Sequence, residues 1–394
     1  MRIQDVHTYV LRAELREPFG SSQRWVEGRS AVLVRVVTDD GRSGWGEAYG
    51  PRIPEAVSVL IQAAIKPLIV NEEADRIEYL WQRMYGALRD SGQKGVAVAA
   101  ISAVDIALWD LNARELQVPV YRLLGGPVRT RIDAYATGLY FPRQGDPVAA
   151  AVEEASRYAR EGFRLIKLKG GLDSALDIAR IRAVQAAVGS NVAVALDVNH
   201  SLHPSAAISL GRKLEELGVS WFEEPVQPED YEGYARVRAA LDIPVAGGEA
   251  EYTSYGFREL VSRRCVDILQ PDVCSTGGFT EARRVAAIAH AWGLRCFPHV
   301  WGTPIALAAA AHFLAALPNP VASLQPEPVW LEVDRSTNPL RDEIAEPPFR
   351  LSDGAVEVPD SPGLGVEIDE EALKRFLVPE YSYFSHAHSI EGPV

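Results

Sequence analysis

Short apolar runs alternate with longer amphipathic stretches from about residue 131 onward, and this rhythm constrains the fold more than any other feature of the chain. Such alternation is typical of repeated βα units around a parallel sheet. No Gly-rich phosphate-binding motif follows the first run, which argues against an open doubly wound sheet and against a nucleotide ligand. Eight units favour an α/β fold with a closed (β/α)8 barrel of the TIM type. The runs occupy 132–138, 163–169, 192–199, 219–225, 243–249, 266–272, 294–299 and, less clearly, 328–332.

The two ends of the 394-residue chain lack this rhythm. Near the N-terminus, strands are predicted at 6–11 and 31–38, and a long helical pattern covers 55–116. After the eighth run, a short apolar stretch and a Gly-rich turn predict a small extension. The predicted domains are an α+β capping domain over 1–128, a barrel with the active site over 129–332, and an extension over 333–394 that packs back on the capping domain.

Charge and cysteine content narrow the partners and the compartment. A net charge of −13 argues against a nucleic-acid partner, because phosphate binding needs clustered Lys and Arg. The three cysteines, Cys265, Cys274 and Cys296, form no C-x-x-C pair, so neither a disulfide framework nor a zinc site is indicated. The N-terminus has no signal region, and no uninterrupted apolar run reaches the ~20 residues that span a bilayer. We therefore expect a cytoplasmic protein without a membrane partner.

Seven of the eight apolar runs end in a charged or titratable side chain. Successive members of this set lie 23 to 33 residues apart, which is one βα unit each. All seven should therefore project from the same end of the barrel, where barrel enzymes place their active sites. They are Lys169, Asp197, Glu223, Glu249, Asp272, His299 and Glu332.

Two neighbouring runs indicate which side chains face the barrel interior. The period-2 alternation of a strand places Lys167 and Lys169 on one face. For an isolated pair of lysines, a sheet with one wet face would be the favoured interpretation. In the next run, however, Ala193 and Ala195 share a face with Asp197. Small residues followed by an acid suit a narrow barrel interior that ends in a site.

Three carboxylates, Asp197, Glu223 and Glu249, come from consecutive runs. Any one of them alone would more often be a helix cap or a surface ion pair. Three that converge in register repel one another unless a cation neutralises them. Oxygen ligands without Cys or His favour Mg²⁺, which keeps positions open for water and substrate. The sequence therefore predicts a magnesium site.

An acid–imidazole pair is predicted beside this metal site. Asp272 and His299 end neighbouring runs, so the acid can fix the tautomer of the imidazole and raise its basicity. Without that register, a core or surface histidine would be an equally good interpretation. His290 and His312 lie in helical stretches and have no such acidic partner in the sequence pattern.

With these residues, the chain resembles the mandelate racemase subgroup of the mandelate racemase/muconate lactonizing enzyme family, which belongs to the enolase superfamily. The resemblance extends over essentially the full length of the chain. The resemblance implies a modified (β/α)7β barrel, Mg²⁺, and abstraction of the proton next to a carboxylate through an enolate. The motifs that carry it are Gly44–Glu47, Lys167–Lys169, Asp197–Asn199, Glu223–Pro225, Gly248–Glu249, Gln270–Asp272, His299 and Pro362–Gly365. Further stretches resemble galactarolactone cycloisomerases and acid-sugar dehydratases, namely 134–138, 221–225, 244–249, 266–272, 298–303 and 334–339.

The resemblance also implies roles for individual residues. Asp197, Glu223 and Glu249 correspond to magnesium ligands. Lys169 corresponds to a base on one face of the substrate, with Lys167 beside it, and the Asp272–His299 dyad to an acid/base on the other face. Asn199 belongs to the same set of catalytic positions, and Glu332, preferred over Glu327, corresponds to the residue that hydrogen-bonds the substrate carboxylate.

The cap is expected to contact the far end of the substrate. The stretch 19–29 and the turn 49–52 should shape this part of the pocket, with Arg24, Trp25 and Tyr49 as contacts.

Several functions remain open on the sequence alone. Ring opening of a sugar-acid lactone and loss of water from an open acid sugar start from the same enolate. Racemisation would use Lys169 and His299 on opposite faces. Dipeptide epimerases and succinylbenzoate synthases fit less well, because they place a lysine where this chain has its dyad. A barrel that only binds a ligand, without catalysis, would be expected to have lost metal ligands or bases, and this chain retains them. We expect a small-molecule carboxylate as the substrate and a homo-oligomer as the assembly.

Overall fold

The computed structural model describes residues 1–49, 52–319, 321, 323–345 and 351–384. The first part of the chain forms three antiparallel strands followed by helices. Its elements are β1 Ile3–Gly20, β2 Trp25–Thr38, β3 Ser43–Ala48, α1 Pro54–Leu60, a π-helical turn Ile61–Ile65, α2 Lys66–Ile69, α3 Ile77–Leu88, α4 Val96–Glu115 and α5 Val120–Leu123.

The middle of the chain alternates strands and helices as the sequence predicts. Its elements are β4 Arg131–Gly138, β5 Phe141–Pro142, α6 Pro147–Arg160, β6 Leu165–Lys169, α7 Ser174–Val188, β7 Ala193–Asp197, α8 Pro204–Glu216, β8 Phe222–Glu223, α9 Tyr231–Ala240, β9 Val245–Gly247, α10 Thr253–Ser262, β10 Ile268–Leu269, α11 Val273–Thr276, α12 Gly278–Ala291, β11 Arg295–Cys296, α13 Pro304–Ala316 and β12 Trp330–Asp334.

Within the described residues, eight strands of this middle region pair in parallel, in the order β11-β10-β9-β8-β7-β6-β4-β12. Each of the first seven leads into a helix on the outside, whereas β12 leads into the C-terminal extension. The predicted barrel is therefore confirmed in its (β/α)7β form. Aspartates at helix starts help to set the boundaries: Asp146 and Asp173 accept hydrogen bonds from backbone amides in the first turns of α6 and α7.

The cap rests on the barrel through β3 and α4. Gly44 and Gly46 of β3 leave no room for a side chain, because a Cβ on Gly46 would lie 1.9 Å from the carbonyl oxygen of Ala103 in α4. Glu47 then reaches the barrel, where it accepts hydrogen bonds from Thr303 (N, 3.0 Å; Oγ1, 2.6 Å) and from the amide of Ala306 (3.0 Å) at the start of α13. The Gly-Trp-Gly-Glu motif thus fixes the cap over the barrel.

Helix α4 is long and apolar enough to cross a bilayer by length and composition. However, 89% of its most apolar window is buried inside the protein. Asp105 and Asp110, both fully buried, bond to partners in neighbouring elements: Asp105 accepts from Thr280 Oγ1 of α12 at 2.5 Å, and Asp110 accepts from the Trp45 amide at 2.8 Å. These contacts are those of a core helix.

The C-terminal extension contacts both domains. Its elements are α14 Pro339–Asp342, β13 Leu351–Ser352, β14 Ala355–Glu357, α15 Glu370–Lys374 and a 3-10 turn Pro379–Tyr381. The β13–β14 hairpin pairs antiparallel with β4 of the barrel rather than with the cap, which differs from the expectation. Further on, the Val378 amide donates to the Val10 carbonyl at 2.8 Å, so this part does pack on β1 of the cap. Residues 346–350 and 385–394 of the predicted extension lie outside the described residues.

Candidate active site

The structure brings all seven predicted polar residues to the mouth of the barrel, but not all at strand ends. Lys169, Asp197 and Glu223 are the last residues of β6, β7 and β8 and lie side by side in register. Glu249 follows its strand by two residues, and Asp272 and His299 follow theirs by three. The seventh, Glu332, is in the middle of β12, so the prediction that it closes a strand is wrong.

Two buried lysines neutralise part of the acidic centre. The Nζ of Lys167 bonds Glu223 and lies 2.8 Å from Glu332 and 4.0 Å from Asp197. Lys169 bonds Asp197 directly. Burial alone raises the pKa of Asp197, but the charges of the two lysines outweigh burial and lower it to about 2. For Glu223 burial prevails and raises the pKa to about 7.

The three predicted metal ligands converge. One carboxylate oxygen from each of Asp197, Glu223 and Glu249 lies within 4.8 Å of the others. Lys167 contacts both Glu223 and Asp197, and Lys169 contacts Asp197. Oε2 of Glu249 is buried and makes no hydrogen bond among the described residues, although His299 Nε2 is 3.5 Å away. A buried carboxylate oxygen without a hydrogen bond, beside two further carboxylates, fits a divalent cation with hard oxygen ligands.

Two further side chains orient the carboxylate of Glu223 by hydrogen bonds. Its Oε2 accepts hydrogen bonds from the Trp221 indole at 2.9 Å and from the Gln270 side-chain amide at 2.7 Å. Partners of this kind orient a ligand and are a regular part of metal sites. Both residues stand in motifs visible in the sequence, but their role depends on side-chain directions that spacing does not reveal.

The dyad forms as predicted in geometry. His299 Nδ1 lies 2.7 Å from Asp272 Oδ2, and the other oxygen of Asp272 accepts from the Cys274 amide at 2.7 Å, which fixes the acid at the start of α11. Burial lowers the pKa of His299, but the nearby charge of Glu249 and the hydrogen bond that His299 donates to Asp272 raise it to about 10. Tyr49 contacts the imidazole edge-on, with ring centroids 5.7 Å apart.

Glu332 and Glu327 occupy different environments. Glu332 is buried, accepts from the Val300 amide at 3.0 Å, and also bonds Thr137 and Lys167. Burial raises its pKa, but Lys167 lowers it to about 2. The side chain of Glu327 is 70% exposed and lies 4.0 Å from Arg295. Only Glu332 is part of the site.

The backbone turns sharply where β7 and β8 end. Asn199, His200 and Glu224 adopt positive φ angles of 42°, 61° and 46°, which non-glycine residues rarely adopt. Strain of this kind clusters at functional sites. It directs Asn199 back to Asp197, which accepts from the Asn199 amide at 2.8 Å, and places His200 Nε2 3.1 Å from Glu224.

A small cavity of about 80 Å³ lies over these residues, between the barrel mouth and the cap. A larger one, of about 270 Å³, opens beside it and shares the wall formed by Arg24, Val26 and Trp301. The larger cavity is lined by none of the predicted metal ligands or acid/base residues, whereas the smaller one is lined by Lys169, Glu249 and His299, so the smaller one is the candidate active site. Its wall comprises Ser21, Gln23, Arg24, Val26, Tyr49, Thr137, Tyr140, Lys169, Asn199, His200, Glu249, His299, Trp301 and Glu332.

The cap loop between β1 and β2 is tied to the barrel mouth. Ser22 Oγ donates to the Val198 carbonyl at 2.7 Å, and Gln23 Nε2 donates to the Asn199 carbonyl at 2.8 Å. Of the three predicted cap contacts, Arg24 and Tyr49 line the small cavity. Trp25 is 44% exposed and lines only the larger one. Residues 50 and 51 of the predicted turn lie outside the described residues.

Several residues at the site were not singled out in the sequence. His200 lines the cavity and directly follows Asn199, and Glu224 is the second acid of the Glu-Glu-Pro motif, so both could have been named from the motifs. Tyr140 lines the cavity without a sequence signal. Ser22 and Gln23 belong to the stretch 19–29 that was expected to shape the pocket, but their individual contacts depend on how this loop docks against a distant strand.

Comparison with known proteins agrees with this geometry. The model of the mandelate racemase/muconate lactonizing enzyme N-terminal domain matches residues 4–125, and that of the enolase C-terminal domain-like family matches 150–372. The chain is 41% identical over 381 residues to D-galactarolactone cycloisomerase of Agrobacterium fabrum, covering 96% of this chain and 100% of the relative. It is 36% identical to arabinonate dehydratase of Saccharolobus solfataricus, covering 95% and 99%.

Solved structures lead to the same family. The 3,6-anhydro-D-galactonate cycloisomerase of Zobellia galactanivorans superposes with a TM-score of 0.87 at 40% identity, over 96% of this chain and 99% of that one. A racemase of Streptomyces coelicolor with bound magnesium gives 0.86 at 32% identity, over 95% and 100%. The chain is therefore an enzyme of the mandelate racemase/muconate lactonizing enzyme family, within the enolase superfamily.

Proposed function

We propose that this enzyme uses Mg²⁺ to assist removal of the proton next to a carboxylate of a sugar-derived acid and then opens a lactone ring in that substrate. The observation that carries the proposal is the buried Oε2 of Glu249, which accepts no hydrogen bond among the described residues and lies beside Asp197 and Glu223, at a cavity that Lys169 and His299 also line. A relative with bound magnesium supports the choice of metal.

Asp197, Glu223 and Glu249 would hold the metal. When bound, it would polarise the substrate carboxylate and make the neighbouring C–H bond more acidic. Lys167, fully buried between Glu223 and Glu332, is placed to donate a charged hydrogen bond to the same carboxylate. Fixed charges in a site closed to water stabilise the developing enolate without reorganisation.

Lys169 and His299 are the candidate acid/base groups. In the strand order they lie on either side of β7, β8 and β9, which carry the three carboxylates. A substrate bound between them would present one face to each. Asp272 would keep His299 in the tautomer whose Nε2 faces the cavity, and Asn199 would hold Asp197 in place.

Ring opening is the first choice because the 41% identical relative is a galactarolactone cycloisomerase over the full length of both chains. The second candidate is dehydration of an open acid sugar, which the 36% identical arabinonate dehydratase favours. Racemisation, with Lys169 and His299 as opposed bases, ranks third. A binding protein without catalysis ranks last, because each predicted ligand and base is present.

We also propose a cytoplasmic location, a small-molecule carboxylate as the sole ligand besides the metal, and assembly into a homo-oligomer. The three cysteines are free and buried, which suits a reducing compartment. Neither nucleic acid nor membrane is expected as a partner, in keeping with the negative net charge.

The test is incubation with Mg²⁺ and a panel of acid sugars and their lactones in D₂O, followed by NMR. Opening of galactarolactone with deuterium entry into the product supports the cycloisomerase. A 2-keto-3-deoxy product from an open acid instead identifies a dehydratase. No deuterium exchange with any substrate of the panel would reject both.

A further inference from the structure

Arg24 is a half-buried cation without an anionic partner. Its guanidinium is part of the wall of the active-site cavity. No carboxylate of the described residues lies within 4.0 Å of it, and its nearest defined contact is the ring of Trp301, 5.7 Å from the guanidinium carbon. A charge withdrawn from water in this way is unfavourable unless a counter-charge joins it.

The neighbours of Arg24 cannot supply that counter-charge. Arg29 stacks on the same Trp301 at 4.2 Å, but its own charge is neutralised by Asp334 at 2.8 Å. Glu27, the acid that lines the adjoining cavity, is bound to Arg143. Arg52, which lines that cavity too, adds a second positive charge. The far end of the pocket is therefore positive, whereas the barrel end carries the carboxylates.

Trp301 offers a second unsatisfied group on this wall. Its indole N–H is buried and makes no hydrogen bond among the described residues, and the ring borders both cavities. A cation and a hydrogen-bond donor, both unpaired and both on one wall, match the two oxygens of a carboxylate or acyl group.

We infer that Arg24, with the Trp301 indole, binds the second acyl group of a dicarboxylic sugar substrate and receives the carboxylate that leaves when the lactone ring opens. The inference rests on the proposed function and names its substrate class: sugar acids with a carboxyl-derived group at both ends. Arg24 is then a catalytic residue, because it contacts the leaving group.

The chemistry balances without another reactant. A base removes the proton from the carbon next to the metal-side carboxylate, and the electron pair forms a double bond to the adjacent carbon. The bond between that adjacent carbon and the ring oxygen breaks, and the oxygen takes the pair and becomes part of a free carboxylate. The resulting enol takes a proton on carbon and becomes a keto acid, so the reaction is an isomerisation.

A fixed cation suits this leaving group better than a proton donor does. A carboxylate is a weak base and leaves as an anion, so it needs charge stabilisation alone. Hydroxide is a strong base and must be protonated as it leaves, which an arginine cannot do because it stays charged. Arg24 therefore favours lactone opening over dehydration at this end of the pocket.

The experiment compares the full-length wild-type enzyme with Arg24→Gln and Arg24→Lys, and with Arg16→Gln as a control that removes an exposed cation of the cap that lines neither cavity. With Mg²⁺ and galactarolactone in D₂O, NMR follows two signals: deuterium in recovered lactone, and the ring-opened product. Galactarate and galactonate, which differ in the second carboxylate, are compared in the exchange assay.

We expect Arg24→Gln to slow product formation about 10²-fold, while exchange into recovered lactone stays within about threefold of wild type. Arg24→Lys should recover part of the loss, and Arg16→Gln should match wild type. Wild type should exchange galactarate faster than galactonate, and Arg24→Gln should not. Equal loss of exchange and opening in Arg24→Gln overturns the inference alone. Lactone exchange without opening by wild type overturns the inference and also the ring-opening step of the proposed function. No exchange by wild type with any acid overturns the proposed function as well.

Discussion

The two ends of the active-site cavity are built differently. At the barrel end, each proposed group lies on a parallel strand or within three residues of its end, and hydrogen bonds or ion pairs fix the direction of all of them except Glu249, whose Oε2 accepts no hydrogen bond among the described residues. At the cap end, Arg24 stands on a loop attached to the barrel by two hydrogen bonds, and its guanidinium has no ionic partner among the described residues. The rigid end suits chemistry common to a family, and the loop end suits selection of one substrate.

The largest expected effect comes from Glu249→Gln, which removes the carboxylate that no lysine neutralises. Turnover should fall by at least about 10³-fold, because the metal would lose a charged ligand. Wild type at 100 times its Kd for Mg²⁺ should gain about 2.7 kcal/mol of stability, and the variant should gain little at the same concentration. A thermal melt with and without Mg²⁺ measures this.

Glu229→Gln is the matched control, since Glu229 is exposed and follows β8 on the same side of the barrel. It should respond to Mg²⁺ as wild type does. If Mg²⁺ stabilises the Glu249→Gln protein as much as wild type, the metal is bound elsewhere. The barrel end of the cavity would then not be the metal site, and the contrast between the two ends would be wrong.

A smaller loss, about 10²-fold in turnover, is expected for Asp272→Asn. Asn retains an oxygen for the Cys274 amide, so α11 stays capped, but its amide group would face His299 Nδ1 and favour the wrong tautomer. Asp173→Asn, at the start of α7, makes the same change away from the cavity and should keep full activity. Steady-state kinetics and thermal melts of both variants distinguish an effect on catalysis from an effect on folding. If Asp272→Asn loses stability in parallel with activity, Asp272 acts only as a helix cap.

The same contrast explains what the sequence could predict. Strand register and one βα unit per step place Lys169, Asp197 and Glu223 at one rim, since parallel strands end together. Glu249, Asp272 and His299 follow for the same reason, even though their strands are shorter than predicted. Strand register also placed Glu332 at the mouth, whereas its role and the preference over Glu327 came from the resemblance; β12 continues to Asp334, so the predicted end of this strand was two residues early.

The cap end could not be derived in this way. The position of Arg24 depends on Ser22 and Gln23 bonding carbonyls about 176 residues later in the chain, and no periodicity encodes that. The extension is a similar case: its turn motif was visible, but the choice of β4 as partner for the β13–β14 hairpin depends on which edge the barrel leaves open.

A third prediction concerns the joint between the two domains away from the mouth. His312 of α13 is fully buried; its Nδ1 lies 3.3 Å from the Tyr121 amide and its Nε2 3.1 Å from the Leu364 carbonyl. Burial lowers the pKa of His312 to about 4. A lowered pKa means that the folded state favours the neutral form of His312. The contribution of this residue to the free energy of unfolding is fully present above the ordinary pKa of 6.5 and is lost as pH falls through 4.

Between pH 7.5 and pH 4, the titration of His312 should lower the free energy of unfolding by about 3 kcal/mol. His312→Gln should be less stable than wild type at pH 7.5 but should lose less stability on acidification, as measured by urea denaturation across that range. His290→Gln, at an exposed position of α12, should keep the wild-type slope. An unchanged slope in His312→Gln would assign the acid sensitivity to other groups.

The smallest effect tests whether the two ends are separable. Replacing Ser22 and Gln23 together by alanine removes both hydrogen bonds from the cap loop to the carbonyls that follow Asp197. Each bond contributes about 1 kcal/mol, and part of that remains after the loop relaxes, so KM should rise roughly tenfold. Stabilisation by Mg²⁺ should not change, because neither of the lost hydrogen bonds involves Asp197, Glu223 or Glu249. Glu14→Gln, at an exposed position of β1, controls for a general change in the cap. If the Mg²⁺ response weakens together with KM, the loop supports the strand end that carries Asp197, and the metal end depends on the cap after all.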